Sequence, residues 1–145
     1  MDSQQLAANT YLDGSNCAQG VFTTFCERYG LHKDTGMTLC SALGGGLSNT
    51  GRTCGAVTAA LLVIGLHYGK ESISAGFNDK AKAKGKEFIE LFETRFSSCS
   101  CKELLGYDIG VAVEKEEIRR KDLFNTRCPD FVGGAAMILE TILDD

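Results

Sequence analysis

Apolar residues along the chain recur at helical spacing in blocks closed by glycine, and Val, Ile and Thr never alternate long enough to make a convincing strand. Asn16 to Tyr29 reads as a first substantial helix, with Ser15 as N-cap and Gly30 as its stop. Cys17, Val21 and Phe25 fall on one face of it. Asp34 to Leu43 predicts a shorter helix ended by Gly44, Gly45 and Gly46. Thr53 to Tyr68 is the clearest pattern, stopped by Gly69, with Cys54, Val57, Leu61 and Leu62 on one stripe. Its small residues Gly55, Ala56, Ala59, Ala60 and Gly65 suit close approach by a neighbour. Ser74 to Phe96 predicts a long amphipathic helix with Phe88, Leu91, Phe92, Arg95 and Phe96 inward and Lys80, Lys82, Lys84 and Lys86 solvated. Cys101 to Leu105 predicts one turn closed by Gly106. Val113 to Phe124 predicts a charged helix, and Asp130 to Leu143 a last apolar one. No linker, repeat or low-complexity segment interrupts the series. The expected fold is all-α, a compact bundle of five to seven helices in a single domain over residues 1–145.

Composition narrows the function. At 145 residues a core forms without covalent staples, so the seven cysteines need another explanation. The net charge of -4 leaves no electrostatic footprint for nucleic acid. Arg119, Arg120 and Lys121 follow Glu114, Glu116 and Glu117 and read as a mixed, solvated helix face. The longest apolar run, Ala59 to Leu66, is far short of the ~20 residues of a membrane span. The first ten residues lack the basic and apolar regions of a signal peptide. A cytoplasmic location is therefore expected, where clustered cysteines more often bind metal or react than form lasting disulfides.

Four cysteines share a local context. Cys17 lies in the first turn of its helix, Cys54 and Cys101 open theirs, and Cys128 immediately precedes the last. Unpaired N–H groups and the positive end of the helix dipole favour the thiolate, the form that reacts and binds metal. Arg52, just before Cys54, adds positive charge, and Arg52 and Gly55 are the candidate cofactor-binding residues beside it. Cys17, Cys54 and Cys128 each precede an apolar stripe by one turn, so their sulfurs are aimed at a common interior. Cysteine also packs as a small hydrophobe, which is the reading for the mid-helix Cys26 and Cys40. Cys99 forms a C-x-C pair with Cys101 and is a further ligand or a resolving thiol. There is no C-x-x-C and no C-x-x-C-H, so thioredoxin, zinc-ribbon and c-type haem motifs are absent. His32 and His67 read as structural or solvated, and the Gly44–Gly46 run lacks the G-K-[ST] of a phosphate loop.

The segments Asn16-Cys17-Ala18-Gln19, Gly51-Arg52-Thr53-Cys54-Gly55-Ala56, Cys101-Lys102-Glu103-Leu104-Leu105-Gly106 and Cys128 occur in an order that resembles a family of redox-active proteins. That family is named for the pattern Cys…Cys-Gly-Ala-x-x-Gly…Cys…Cys. The closing Gly of the central motif is Ala59 here. The resemblance implies a redox role for the four cysteines. A similar cysteine-bearing domain in split-Soret-type cytochromes points toward iron–sulfur chemistry, although their haem motif is missing from this chain.

Three chemistries use the same four thiols. Ligation of an iron–sulfur cluster, for electron transfer or sensing, is preferred. Thiol–disulfide exchange by cysteine pairs comes next, and a structural zinc site third. An interaction module with merely packed cysteines is the reading from a different class. The expected partner is a redox protein of unspecified identity.

Overall fold

The computed structural model describes residues 1–144 apart from 75, 77 and 78, and among them it is helical, with no strand beyond an isolated antiparallel bridge between Thr53 and Ser100. Eight helices of five residues or more are present: α1 (Ser3–Leu12), α2 (Cys17–Phe25), α3 (Lys33–Leu39), α5 (Gly55–Ser74), α6 (Lys80–Phe96), α7 (Cys101–Leu105), α8 (Ala112–Arg120) and α10 (Cys128–Leu143). Single turns α4 (Gly44–Leu47) and α9 (Leu123–Thr126) and a 3-10 turn, Cys26–Tyr29, complete the series. The all-α expectation holds, and the number of helices exceeds five to seven by one.

The additional helix is α1. Asp2 and Gln5 close it with a reciprocal capping box, the Asp2 carboxylate accepting from the Gln5 N–H at 2.8 Å and the Gln5 side chain accepting from the Asp2 N–H at 3.2 Å. Only Ala7 of this helix is buried, so it carries almost no hydrophobic periodicity. It packs across α10 and α2 all the same.

The core is a layered contact of α2, α5, α6 and α10. Val21, Phe22 and Phe25 of α2, Val57, Val63 and Ile64 of α5, Phe88 and Phe92 of α6 and Val132, Leu139 and Ile142 of α10 are all but removed from solvent. A buried side chain of this size contributes ~1.5–3 kcal/mol. The buried Tyr68 hydroxyl donates to the Ile142 carbonyl at 2.6 Å and ties the far ends of α5 and α10 together.

Several expected boundaries move. Asn16, not Ser15, caps α2, because its side chain accepts from the Gln19 N–H at 2.8 Å while Gln19 reaches back to the Asn16 N–H at 2.9 Å. Gly69 does not end α5, which continues to Ser74; glycine inside a helix costs only ~1 kcal/mol relative to alanine. The helix expected over Asp34 to Leu43 stops at Leu39. The one expected over Val113 to Phe124 breaks after Arg120, where Asp122 takes a left-handed φ of 56°. The first turns expected for Ser74 to Phe96 include 75, 77 and 78, which lie outside the described residues. Leu62, Leu91 and Arg95, placed on inner faces by spacing, are exposed. No helix among the described residues is long and apolar enough to cross a membrane.

Candidate cysteine site

Cys17, Cys54, Cys101 and Cys128 line one cavity of about 230 Å³. Each stands at a helix start. Cys17, Cys101 and Cys128 are the first residues of α2, α7 and α10, and Cys54 immediately precedes α5. Cys54, Cys101 and Cys128 are 4%, 8% and 5% exposed, and Cys17 is half-buried.

The segments around Cys54 and Cys101 are held side by side by backbone pairing. The Cys54 N–H donates to the Cys99 carbonyl at 2.8 Å, the Cys101 N–H to the Arg52 carbonyl at 2.7 Å and the Lys102 N–H to the Gly51 carbonyl at 3.1 Å. The role of the C-x-C pair in the fold is therefore to supply the backbone that docks α7 beside the start of α5. Cys17 is brought in by Gly55: a Cβ there would lie 3.0 Å from the Ala18 nitrogen and 3.1 Å from the Leu43 oxygen. Only a residue without a side chain lets the starts of α2 and α5 come this close.

The cavity wall opposite is unusual backbone. Gly45, Gly46, Leu47, Ser48 and Asn49 all have φ between 58° and 69°, a left-handed turn in which each L-residue costs ~1–2 kcal/mol. It is held by the Ser48 hydroxyl donating to the Ala42 carbonyl at 2.6 Å, the Thr50 hydroxyl to the Gly46 carbonyl at 2.7 Å and the Arg52 N–H to the same Gly46 carbonyl at 2.9 Å. A Cβ on Gly46 would sit 2.6 Å from the Arg52 nitrogen and 2.7 Å from the Cys101 Cβ.

The sulfurs are electrostatically unequal. The neighbouring sulfurs of Cys128 and Cys54 favour the protonated form of Cys17 and, with burial, push it well above the ordinary cysteine range. Cys54 moves down: the Cys17 thiol favours its thiolate most, and the N–H groups of Ala56 and Val57 add to this against the cost of burial. Cys128 also moves down, by the Cys17 thiol first and by the Tyr11 hydroxyl, again against burial. Burial pushes Cys101 up to about 12, and negative charge on Cys54 and Cys128 would push in the same direction. Of these three, Cys17 holds its proton hardest, and Cys54 and Cys128 give theirs up more readily than an ordinary cysteine.

Arg52 is exposed and does not line the cavity; its contribution is the backbone pairing above. The downward shift of Cys54 comes instead from Cys17 and the amides of α5. Gly55 lines the cavity as well as permitting the helix contact. Cys26 and Cys40 are fully buried away from it, and burial pushes Cys40 up to about 11. Cys99 is half-buried, does not line the cavity and is likewise pushed up to about 11 by burial. His67 accepts or donates at the Tyr29 hydroxyl at 2.9 Å, and His32 caps α3 by accepting from the Asp34 N–H at 3.1 Å; neither lines the cavity. All seven cysteines are free thiols. Among the described residues no group of three or more His, Cys, Asp or Glu side chains is arranged to hold a metal ion.

Tyr11 is the cavity residue that helical periodicity alone passes over, because α1 has so little of it. The signal that locates it is the capping-box pair Asp2 and Gln5. Burial and the neighbouring sulfurs, Cys128 foremost among them, raise the Tyr11 hydroxyl above its ordinary range, so it stays a proton donor.

Of the comparisons with known proteins, one gives a match: the model of the C_GCAxxG_C_C family, described as putative redox-active protein, aligns with residues 15–142. No curated protein and no solved structure matches the chain.

Proposed function

The chain belongs to the C_GCAxxG_C_C redox-active family, and from that premise we propose that it is an electron carrier or redox sensor whose Cys17, Cys54, Cys101 and Cys128 ligate an iron–sulfur cluster. The observation that carries this reading is the cavity itself. Four thiols from four separate helix starts surround about 230 Å³ of space, with no carboxylate or imidazole among the lining residues. An all-sulfur donor set suits iron–sulfur chemistry, and widely spaced ligands are allowed when the fold gathers them. Three of the four are nearly buried, which suits ligands better than it suits attack on a protein disulfide.

When bound, the cluster supplies one-electron transfer. The chain supplies the rest. Ligation takes the thiol protons away, and the molecule is prepared for this at Cys54 and Cys128, whose thiolates are already favoured. The protons held most firmly, on Cys17 and Cys101, are the ones ligation has to displace. A single zinc ion would use the same four thiols without any redox change, and the redox character of the family favours the cluster over it.

The test is anaerobic purification followed by visible spectroscopy with iron and acid-labile sulfide analysis. Iron and sulfide should be present together, lost in Cys54→Ser and retained in Cys26→Ser and Cys40→Ser. A colourless protein carrying neither would defeat the cluster reading.

A second reading is favoured by the gathering of Cys17, Cys54 and Cys128 around one cavity. Cys17 can close to a disulfide with either Cys54 or Cys128, releasing two electrons and two protons to an acceptor disulfide that becomes two thiols. Metal-free protein equilibrated with oxidised and reduced glutathione should then yield a Cys17–Cys54 or Cys17–Cys128 bond on peptide mapping. A chain that stays fully reduced in oxidised glutathione would rule this out.

A further inference from the structure

The charged helix α8 is not uniformly solvated. Glu117 pairs with Arg120 at 2.8 Å, Glu116 with Arg119 at 3.5 Å, and Glu114 accepts from the Asp108 N–H at 3.0 Å. Lys121, just beyond the helix, donates to the Tyr107 hydroxyl at 2.6 Å. Lys115 stands apart. It is half-buried, its side chain has no hydrogen bond or ion pair among the described residues, and it lines the cysteine cavity. Of the cavity's lining residues it alone carries a formal charge.

We infer that Lys115 is an electrostatic tuning residue of the cysteine site, its ammonium offsetting the negative charge that the sulfurs take on when the site is reduced. The inference rests on the redox reading above and holds for either chemistry. Reduction of a thiolate-ligated cluster adds one electron to an already anionic group. Reduction of a disulfide with two electrons and one proton turns two neutral sulfurs into a thiol and a thiolate, the anion on which a neighbouring ammonium acts. In both cases a nearby cation stabilises the reduced form and raises the potential. The rest of the wall is apolar on the α7–α9 side, from Leu104, Leu105, Ile109 and Phe124, so little in the protein dilutes the field of the one ammonium. Glu116 and Glu117 are paired with Arg119 and Arg120, and Glu114, which accepts from the Asp108 N–H, does not line the cavity, so Lys115 is the charge of α8 that does.

The experiment compares the full-length protein with Lys115→Met, which keeps the stem and removes the charge, and with Lys115→Arg, which keeps the charge. Midpoint potentials are read from the visible absorbance of cluster-loaded protein, or from the glutathione equilibrium of metal-free protein if disulfide chemistry operates. Lys115→Met should favour the oxidised form about tenfold, ~59 mV for a one-electron couple and ~30 mV for a two-electron one. Lys115→Arg should restore most of the difference. Raising the salt concentration should narrow the gap between wild type and Lys115→Met, as screening of a charge requires and a packing effect does not. A redox-active wild type whose potential is unchanged in Lys115→Met overturns the role of Lys115 alone. A wild type that takes up no cluster and forms no disulfide overturns the redox reading and this inference with it.

Discussion

At the scale of single residues the cysteines differ in charge state more than in accessibility, and that contrast can be tested. Cys101 is the most exposed of the three nearly buried site cysteines, at 8% against 4% for Cys54 and 5% for Cys128. Access alone would make it react first. Yet Cys101 is pushed up to about 12, while Cys54 and Cys128 are pushed down. Since the thiolate is the nucleophile, metal-free reduced protein treated with iodoacetamide at pH 7 should label Cys54 and Cys128 before Cys101 and before Cys40. Labelling in the order of exposure would show that the shifts have no chemical consequence. Tyr11→Phe isolates one cause. It removes the hydroxyl that favours the Cys128 thiolate and keeps the ring, so labelling of Cys128 should slow several-fold while Cys54 changes little. The four cysteines were legible because helix starts are written locally, in capping residues and the onset of periodicity. The lowering of Cys54 was legible in part, from the N–H groups of the helix it precedes; the raising of Cys17 and Cys101 was not, because it depends on burial and on sulfurs brought together across long stretches of chain.

At the scale of elements, what makes the site is how helix starts are docked. The expected turn from Cys101 to Leu105 and its Gly106 stop agree with α7 residue for residue, because a cap, a short apolar pair and a glycine fit within seven positions. The antiparallel bridge that seats this turn beside Cys54 pairs residues about fifty positions apart, and no local pattern announces it. The left-handed turn from Gly45 to Asn49 is equally hidden: Leu47 and Ser48 are ordinary L-residues that adopt positive φ only because hydrogen bonds from Ser48, Thr50 and Arg52 hold the turn. The cost of that conformation is concentrated where the turn faces the sulfurs, which makes Gly46 its most sensitive position. Gly46→Ala must place a methyl against the Arg52 nitrogen and the Cys101 Cβ at a φ of 69°. Backbone cannot yield as a flexible side chain would, so the variant should lose ~2 kcal/mol or more of stability. Loss of cofactor or disulfide should accompany it, since Cys101 must shift. Gly76→Ala, with a similar φ of 74° and nothing near its Cβ, is the control for positive φ alone and should leave the site intact. Equal effects of the two substitutions in urea titrations and cluster content would assign the cost to φ and not to the wall of the cavity.

At the scale of the whole molecule the seven thiols set how the fold responds to alkali. Burial, with the neighbouring sulfurs at Cys17, raises five of them, Cys17, Cys26, Cys40, Cys99 and Cys101, above the ordinary value of 9.0, while Cys54 and Cys128 fall below it. A raised thiol is held protonated by the fold, so its contribution to stability is complete below the unfolded value of 9.0 and is lost as pH climbs toward the folded one, about 11 for Cys40 and Cys99 and about 12 for Cys101. A lowered thiol contributes in the opposite sense. The stabilisation from Cys54 and Cys128 is complete above 9.0 and is lost only as pH falls through their folded values. Above pH 9 nothing further is gained from those two, and the other five lose together. Metal-free, reduced protein should therefore hold its urea midpoint up to about pH 9 and lose it steeply toward pH 11. Fully buried Cys26 and Cys40 lie outside the cavity, so replacing both with Ala lowers the midpoint at every pH by the cavities it leaves but flattens the alkaline slope. Adding cluster should flatten it further, because Cys17 and Cys101 can no longer take part as free thiols, and closing a disulfide at Cys17 should do so to a smaller degree, because Cys101 stays free. A slope unchanged by both treatments would mean that the alkaline loss comes from groups other than the cysteines, and that burial of these thiols is packing with no linkage to protons.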